Sequence, residues 1–156
     1  MLHKLFKIYL SWFGSGYAPK APGTFGTLAS LPFIYAWSLL QPSHIVNFIL
    51  IIIMTVMAIF TAEIIQQAAR SHDPQWIVID EVIGMLITWS FVRPSSALEW
   101  ILCFAAFRLL DIFKIWPASY FDKKIKHGAG TILDDVVSGV YAGVFVLTIS
   151  HYFLRT

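Results

Sequence analysis

Charge is scarce in this sequence. Acidic and basic residues make up only 13% of its 156 positions, whereas 58% are hydrophobic and the mean hydropathy is +0.71. A soluble domain usually carries about a quarter charged residues, so this chain is short of the groups that keep a folded surface in water. Cysteine is nearly absent as well: Cys103 alone excludes an intrachain disulfide and a cysteine-rich metal site. Net charge is only +2, too little to imply nucleic acid as a partner. There is no internal repeat, low-complexity tract or Pro/Gly/Ser-rich linker, so a single domain is expected over residues 1–156. The opening stretch MLHKLFKIYLSWFGSG has no small-residue cleavage site, and no signal peptide is expected. These absences point to an integral membrane protein.

Long apolar runs are what the chain has in abundance. A helix needs roughly 20 apolar residues to cross the hydrocarbon of a bilayer, with a range of about 17–25. Segments 24–40, 44–65, 77–92, 97–116 and 131–154 reach or approach that length. Between them stand Gln41-Pro42, Asp73-Pro74, Arg93-Pro94 and the stretch from Pro117 to Gly130, each a helix stop. The first and third runs are short and are expected to tilt or to lie partly in the interface. Ahead of them Lys4, Lys7 and Ser11 form a polar stripe, with Leu2, Leu5, Phe6, Tyr9, Trp12 and Phe13 around the rest. That pattern suits an amphipathic helix in the headgroup plane, or one that packs on the bundle. The expected fold is all-α: a membrane helical bundle of about five spans with an N-terminal interfacial helix.

Orientation follows from the lysines and arginines. With a cytoplasmic N-terminus, Lys4, Lys7, Lys20, Arg70, Arg108, Lys114, Lys123, Lys124 and Lys126 fall on or near the inner face. These are nine of the eleven basic residues, and only Arg93 and Arg155 lie outside.

Ionised groups are expensive inside a bilayer, yet GTILDDVVSGVYAGVFVLTISHYF opens its apolar run with Asp134 and Asp135. Asp80 and Glu81 sit one turn into the third run, and Asp111 lies near the end of the fourth. Alternating helix directions bring all five to the cytoplasmic side. Glu63, near the end of the second run, is a further candidate for the same layer, and the outer halves are expected to hold no acids. Carboxylates so close together repel unless a cation sits among them, and Mg²⁺ binds through one or two carboxylates plus substrate phosphates. In FRLLDIFK, Arg108 and Lys114 flank Asp111 three residues to either side. They suit a phosphate, Arg108 as a bidentate fork and Lys114 as a point charge; the alternative is an ordinary i,i+3 ion pair between Arg108 and Asp111.

The loop SGYAPKAPGTFGT (15–27) adds a second element. Pro19 and Pro22 keep it out of a helix interior, and Gly23 and Gly26 permit close backbone approach. Thr24 or Thr27 could cap the first span, whose N-terminal N–H groups favour phosphate, with Lys20 adding charge. A capped re-entrant turn is the plainer alternative. Asp135, Gly139 and Gly143 share a helix stripe, as do Asp80 and Gly84, so these acids are expected to face the bundle where helices pack closely. His127 is read as lining the loop before the last run, His72-Asp73 as a capped turn, and Cys103 as an ordinary span residue.

Four blocks, GYAPKAPGTFGT, IVIDEVIGM, FRLLDIFKIWP and HGAGTILDDVVSGVYAG, resemble the phosphatidylglycerophosphatase A family of bacterial membrane lipid phosphatases. They cover residues from about 14 to 143 in the family's order. The one departure is Ile115, where many relatives are expected to have proline. The resemblance implies an all-helical, Mg²⁺-dependent enzyme of the inner membrane that removes the terminal phosphate of phosphatidylglycerophosphate. It implies catalytic roles for Asp80, Glu81, Asp111, Asp134 and Asp135, with Asp80, Glu81, Asp134 and Asp135 holding the metal. Lys20, Gly23, Thr24, Arg108 and Lys114 would bind the substrate phosphate, and Asp111 would orient Arg108 or act as base. The reading from a different class is a small ion- or proton-coupled transport subunit using the same acids. A transport pathway would distribute acids through the membrane depth, whereas these gather near one face.

Overall fold

The computed structural model describes residues 2–69 and 74–154; Arg70, His72, Asp73 and Arg155 lie outside the described residues. Among those described there are seven α-helices and no strand. Helix α1 (Leu2–Leu10) is followed by a 3₁₀ turn (Ser15–Tyr17), α2 (Pro22–Leu39), α3 (His44–Ala69), α4 (Ile79–Val92), α5 (Ala97–Phe113), α6 (Ala118–Lys124) and α7 (Gly128–Ile149), with a π-helical end (Ser150–Leu154). The five apolar runs thus become α2, α3, α4, α5 and α7.

Helix α4 is the centre of the bundle, and α2, α3, α5 and α7 pack on it. Almost every side chain from Ile79 to Trp89 is buried, which explains why the run reads as apolar on all sides rather than on one stripe. Its closest neighbour is α7. Gly139 lies so near α4 that a Cβ there would sit 2.5 Å from the Gly84 carbonyl oxygen. Thr88 Oγ1 bridges the two helices, 3.0 Å from Gly84 O and 3.1 Å from Gly139 O. Gly143 packs against the Phe91 ring, and Gly84 against the Phe107 ring of α5. Small residues on both helices therefore let the α4 and α7 backbones approach, which carries Asp80 and Asp135 into the same layer.

Several details differ from the sequence-based expectation. The N-cap of α2 is Ala21, in a left-handed conformation with φ 48°, and Pro22 takes the first turn, where its missing N–H has no cost. Thr24 and Thr27 are inside the helix rather than capping it, and Thr27 donates back to Gly23 O at 2.9 Å. Ser11 is buried, not part of a polar stripe: its carbonyl accepts from Gly14 and Gly16 N–H and its Oγ from Gly14 N–H, closing the turn after α1. Helix α5 stops at Phe113 because Lys114 turns left-handed with φ 45°, and α6 occupies part of the stretch expected to be a break.

Two acids also fall elsewhere. Glu63 Oε2 accepts the first N–H of α7, from Gly128, at 2.7 Å; it satisfies an otherwise orphaned helix donor and does not line the cavity of the other acids. The end of the bundle expected to hold no acids does contain one, because Glu99 is buried there, away from the other five. It accepts from Ser95 N–H at 2.6 Å, from Ser95 Oγ at 2.9 Å and from Ser150 Oγ, joining the start of α5 to the end of α7.

Candidate active site

The acids are gathered by the ends of helices. Asp80 and Glu81 occupy the first turn of α4, where the helix dipole favours negative charge; Asp80 Oδ1 accepts the Glu81 N–H at 3.1 Å. Asp111 comes from the last turn of α5, and Asp134 and Asp135 from the second turn of α7. The start of α2 closes the layer because the 15–27 loop docks on the chain leading into α4. Gly16 presses on the Trp76 backbone and Gly26 on Val78, while Val78 N–H bonds Leu10 O at 2.8 Å. The permissive glycines of the loop thus serve to bring helix ends together.

A cavity of about 470 Å³ opens between these ends. All five predicted acids line it with Arg108, Lys114 and Gly23; Gln75, Ile77, Ile112 and Thr131 complete much of its wall. Lys20 is exposed on the loop and Thr24 half-buried in the first turn of α2, and neither lines the cavity. His127 does not line it either, but caps α7 beside a neighbouring pocket.

Charge within the cavity is sorted by partner. Arg108 Nη1 lies 2.7 Å from Asp111 and 3.8 Å from Glu81, and 3.5 Å from Thr27 Oγ1. Gly23 is in contact with both Glu81 and Arg108, and a side chain there would collide with the Glu81 carboxylate. Lys114 Nζ bridges Asp134 Oδ2 and Asp122 Oδ1, each at 2.6 Å. Asp80, Glu81 and Asp135 remain as a group whose oxygens lie within 4.8 Å of one another. Buried Glu81 Oε2 and Asp134 Oδ1 have no hydrogen-bond partner among the described residues.

Five carboxylates face two cations around this space, an excess of three negative charges if all are ionised. Like charges at such separations cannot all stay ionised without a counter-charge, and hard oxygen donors in this number suit a hard divalent cation. The partnerless oxygens fit the same conclusion: this buried acidic cluster can bind a metal ion. Sequence reasoning missed Asp122, Gln75 and Thr131. Asp122 carries a faint signal, an acid eight residues after Lys114, but only the fold of α6 against α7 brings the two together.

Comparison with known proteins shows the family. The family model for phosphatidylglycerophosphatase A matches residues 8–150. The chain is 34% identical over 141 residues to phosphatidylglycerophosphatase A of Escherichia coli strain K12, covering 90% of this chain and 80% of that protein. It is 35% identical over 147 residues to the Haemophilus influenzae protein of the same name, covering 91% and 86%. A Bacteroides thetaiotaomicron protein with a provisional phosphatidylinositol-3-phosphatase name is 33% identical over 139 residues, covering 86% of each chain. No solved structure matches the chain.

Proposed function

Because the chain belongs to the phosphatidylglycerophosphatase A family, we propose that it hydrolyses the terminal phosphomonoester of phosphatidylglycerophosphate to phosphatidylglycerol and phosphate. Mg²⁺ is the proposed cofactor, and the cytoplasmic face of the bacterial inner membrane the proposed location. The observation that carries this reading is the meeting of carboxylates from α4, α5 and α7 with Arg108 and Lys114 around one cavity.

Asp80, Glu81 and Asp135 are assigned to the metal, with the partnerless Oδ1 of Asp134 as a fourth donor. When bound, the metal supplies Lewis-acid polarisation of phosphoryl oxygens and a lowered pKa for water. Arg108 grips the phosphoryl group with a fork whose direction Asp111 sets. Lys114, held between Asp122 and Asp134, stabilises charge that develops as the ester bond breaks. Gly23 keeps the mouth open above Glu81, and Lys20 and Thr24 are assigned to the approach of the phosphate at the α2 N-terminus. In the reaction the bond from phosphorus to the glycerol oxygen breaks, a water oxygen ends on phosphorus, and the leaving alkoxide takes up a proton. Attack by water, with Asp111 as base, and attack by an aspartate followed by water give the same balance.

The proposed topology has five passes, made by α2, α3, the short α4 together with its flanking residues, α5 and α7, with α1 in the headgroup plane, where Leu2, Leu5 and Ile8 are exposed beside Lys4 and Lys7. Helices α3 and α7 are long and apolar enough to cross a membrane. The transport reading draws some support from Glu99, buried in the outer half, but Ser95 and Ser150 satisfy that carboxylate locally. The two lipids named for the relatives share one chemistry, a polyol joined to diacylglycerol by a phosphodiester and carrying a phosphomonoester. The direct test is phosphate release by the purified protein from phosphatidylglycerophosphate, with and without Mg²⁺. Release that requires Mg²⁺ is expected; no release with the metal present would overturn the reading.

A further inference from the structure

A second pocket adjoins the acidic cavity, and nothing in the reaction above uses it. It measures about 180 Å³ and is lined by Lys123, Lys126 and His127 together with Gln66, Asp122 and Thr131. Its character is the reverse of the neighbouring site. Two lysines stand here, and the one acid among the described residues, Asp122, is already bonded to Lys114 at 2.6 Å. This pocket therefore attracts an anion without needing a metal.

Two side chains tie the pockets together. Thr131 lines both, and its Oγ1 accepts from Gln66 Nε2 at 2.8 Å. Asp122 lines the basic pocket while its partner Lys114 lines the acidic one. Gln66 supplies an independent sign of a ligand. It is only 5% exposed, yet its Oε1 has no hydrogen-bond partner among the described residues. Turning the amide over leaves the other polar atom over instead, so the side chain has an unused hydrogen bond in either state. A buried polar atom without a partner is costly, and a ligand hydroxyl or phosphate would relieve that cost.

We infer that the pocket formed by Lys123, Lys126, His127 and Gln66 is a subsite for the phosphodiester of the lipid, beside the site for its phosphomonoester. The inference rests on the proposed lipid phosphatase function and deepens it. A phosphodiester carries one negative charge and is not hydrolysed, so it needs cationic donors and no metal, as this pocket offers. Because the pockets meet at Thr131, two phosphate groups joined by a short polyol can occupy both. A polyol hydroxyl between them would lie near the leftover atom of Gln66. The lysines are exposed and close to the end of the short helix α6, where a headgroup still anchored by acyl chains can reach them. Discrimination follows: a lipid with both groups engages both pockets, whereas one with only a terminal phosphate engages the acidic cavity alone.

The test uses the full-length protein in mixed micelles, with Lys123→Ala/Lys126→Ala as the main variant. KM for phosphatidylglycerophosphate should rise about tenfold, the scale of one or two lost charge-assisted contacts at a solvated site, with kcat within about twofold of wild type. Inhibition by phosphatidylglycerol, which keeps the diester, should weaken by a similar factor, while inhibition by inorganic phosphate should not change. Lys123→Arg/Lys126→Arg should recover most of the affinity. Lys124→Ala, on the same helix but outside the pocket, is the control for general attraction to an anionic surface and should behave as wild type. An unchanged KM in the double alanine variant overturns the subsite. So does an equal effect of Lys124→Ala, or a parallel loss of inorganic phosphate inhibition. Failure of the wild type to release phosphate from this lipid at all would be seen first, and would remove the functional reading and this inference with it.

Discussion

Asp134 and Asp135 are adjacent in sequence but occupy different electrostatic settings. Asp135 sits in a group with Asp80 and Glu81 and has no ion pair of its own among the described residues, whereas Asp134 gives one oxygen to Lys114 and keeps the other without a partner. Removing the charge of Asp135 should therefore relieve repulsion in the metal-free protein and weaken the metal site most. Asp135→Asn is expected to retain the fold, to lose at least about 100-fold in activity, and to lack the rise in melting temperature expected of the wild type in Mg²⁺. Such a rise is required of any ligand that binds only the native state. Asp134→Asn should also lose activity, because it frees Lys114 from one partner, but should keep part of the Mg²⁺ effect. Melting curves across millimolar Mg²⁺ read this directly. A wild-type curve that does not move, or an Asp135→Asn curve that moves as far as wild type, would remove Asp135 from the metal site.

Helices bring these residues together through small contact points, and here the sequence was readable only in part. The five apolar runs are evident because a helix stop bounds each of them, and alternating directions already send the acids of α4, α5 and α7 to one end. The Asp135–Gly139–Gly143 stripe could be read because residues four apart share a helix face. Helix α6 could not: seven residues, ASYFDKK, are too few for a period, and the flanking proline and glycines look like a break. Nor could the partners of individual oxygens, since Lys114–Asp122 and Glu63–Gly128 depend on how α6 and α7 dock rather than on spacing. Ser11 and Glu99 were misjudged for the same reason, as polar residues whose burial is set by turns and helix ends. The α4–α7 crossing is the contact on which the site depends most. Gly139→Ala would place a methyl 2.5 Å from Gly84 O and 2.9 Å from Gly84 Cα, both backbone atoms that cannot swing aside. A destabilisation of about 1–3 kcal/mol is expected, with activity falling further than for an equally destabilising change far from the crossing. A melting temperature equal to wild type would mean that the helices can separate without cost.

At the scale of the whole molecule, the bundle has two long walls and a short centre. Helix α3, with 26 residues, is about 39 Å long and α7, with 22, about 33 Å, whereas the 14 residues of α4 make only about 21 Å. Against roughly 30 Å of hydrocarbon, α3 and α7 can cross and α4 cannot reach both surfaces. Large apolar side chains stand exposed along α3, among them Ile45, Phe48, Val56 and Phe60, and on α5 at Ile101 and Leu109, a surface suited to lipid rather than water. The end that holds the cavity also holds Arg108, Lys114, Lys123, Lys124 and Lys126, and Arg93 marks the opposite end. By the bias of basic residues toward the cytoplasm, the cavity end is expected to face inward. Cysteine labelling tests this with little background, because the single native cysteine, Cys103, is buried. Lys124→Cys and Ser43→Cys replace exposed residues at opposite ends. In intact cells an impermeant thiol reagent should reach position 43 and not position 124, and disruption of the membrane should expose both. Labelling of position 124 from outside would invert the topology and place the phosphatase site on the far side of the membrane.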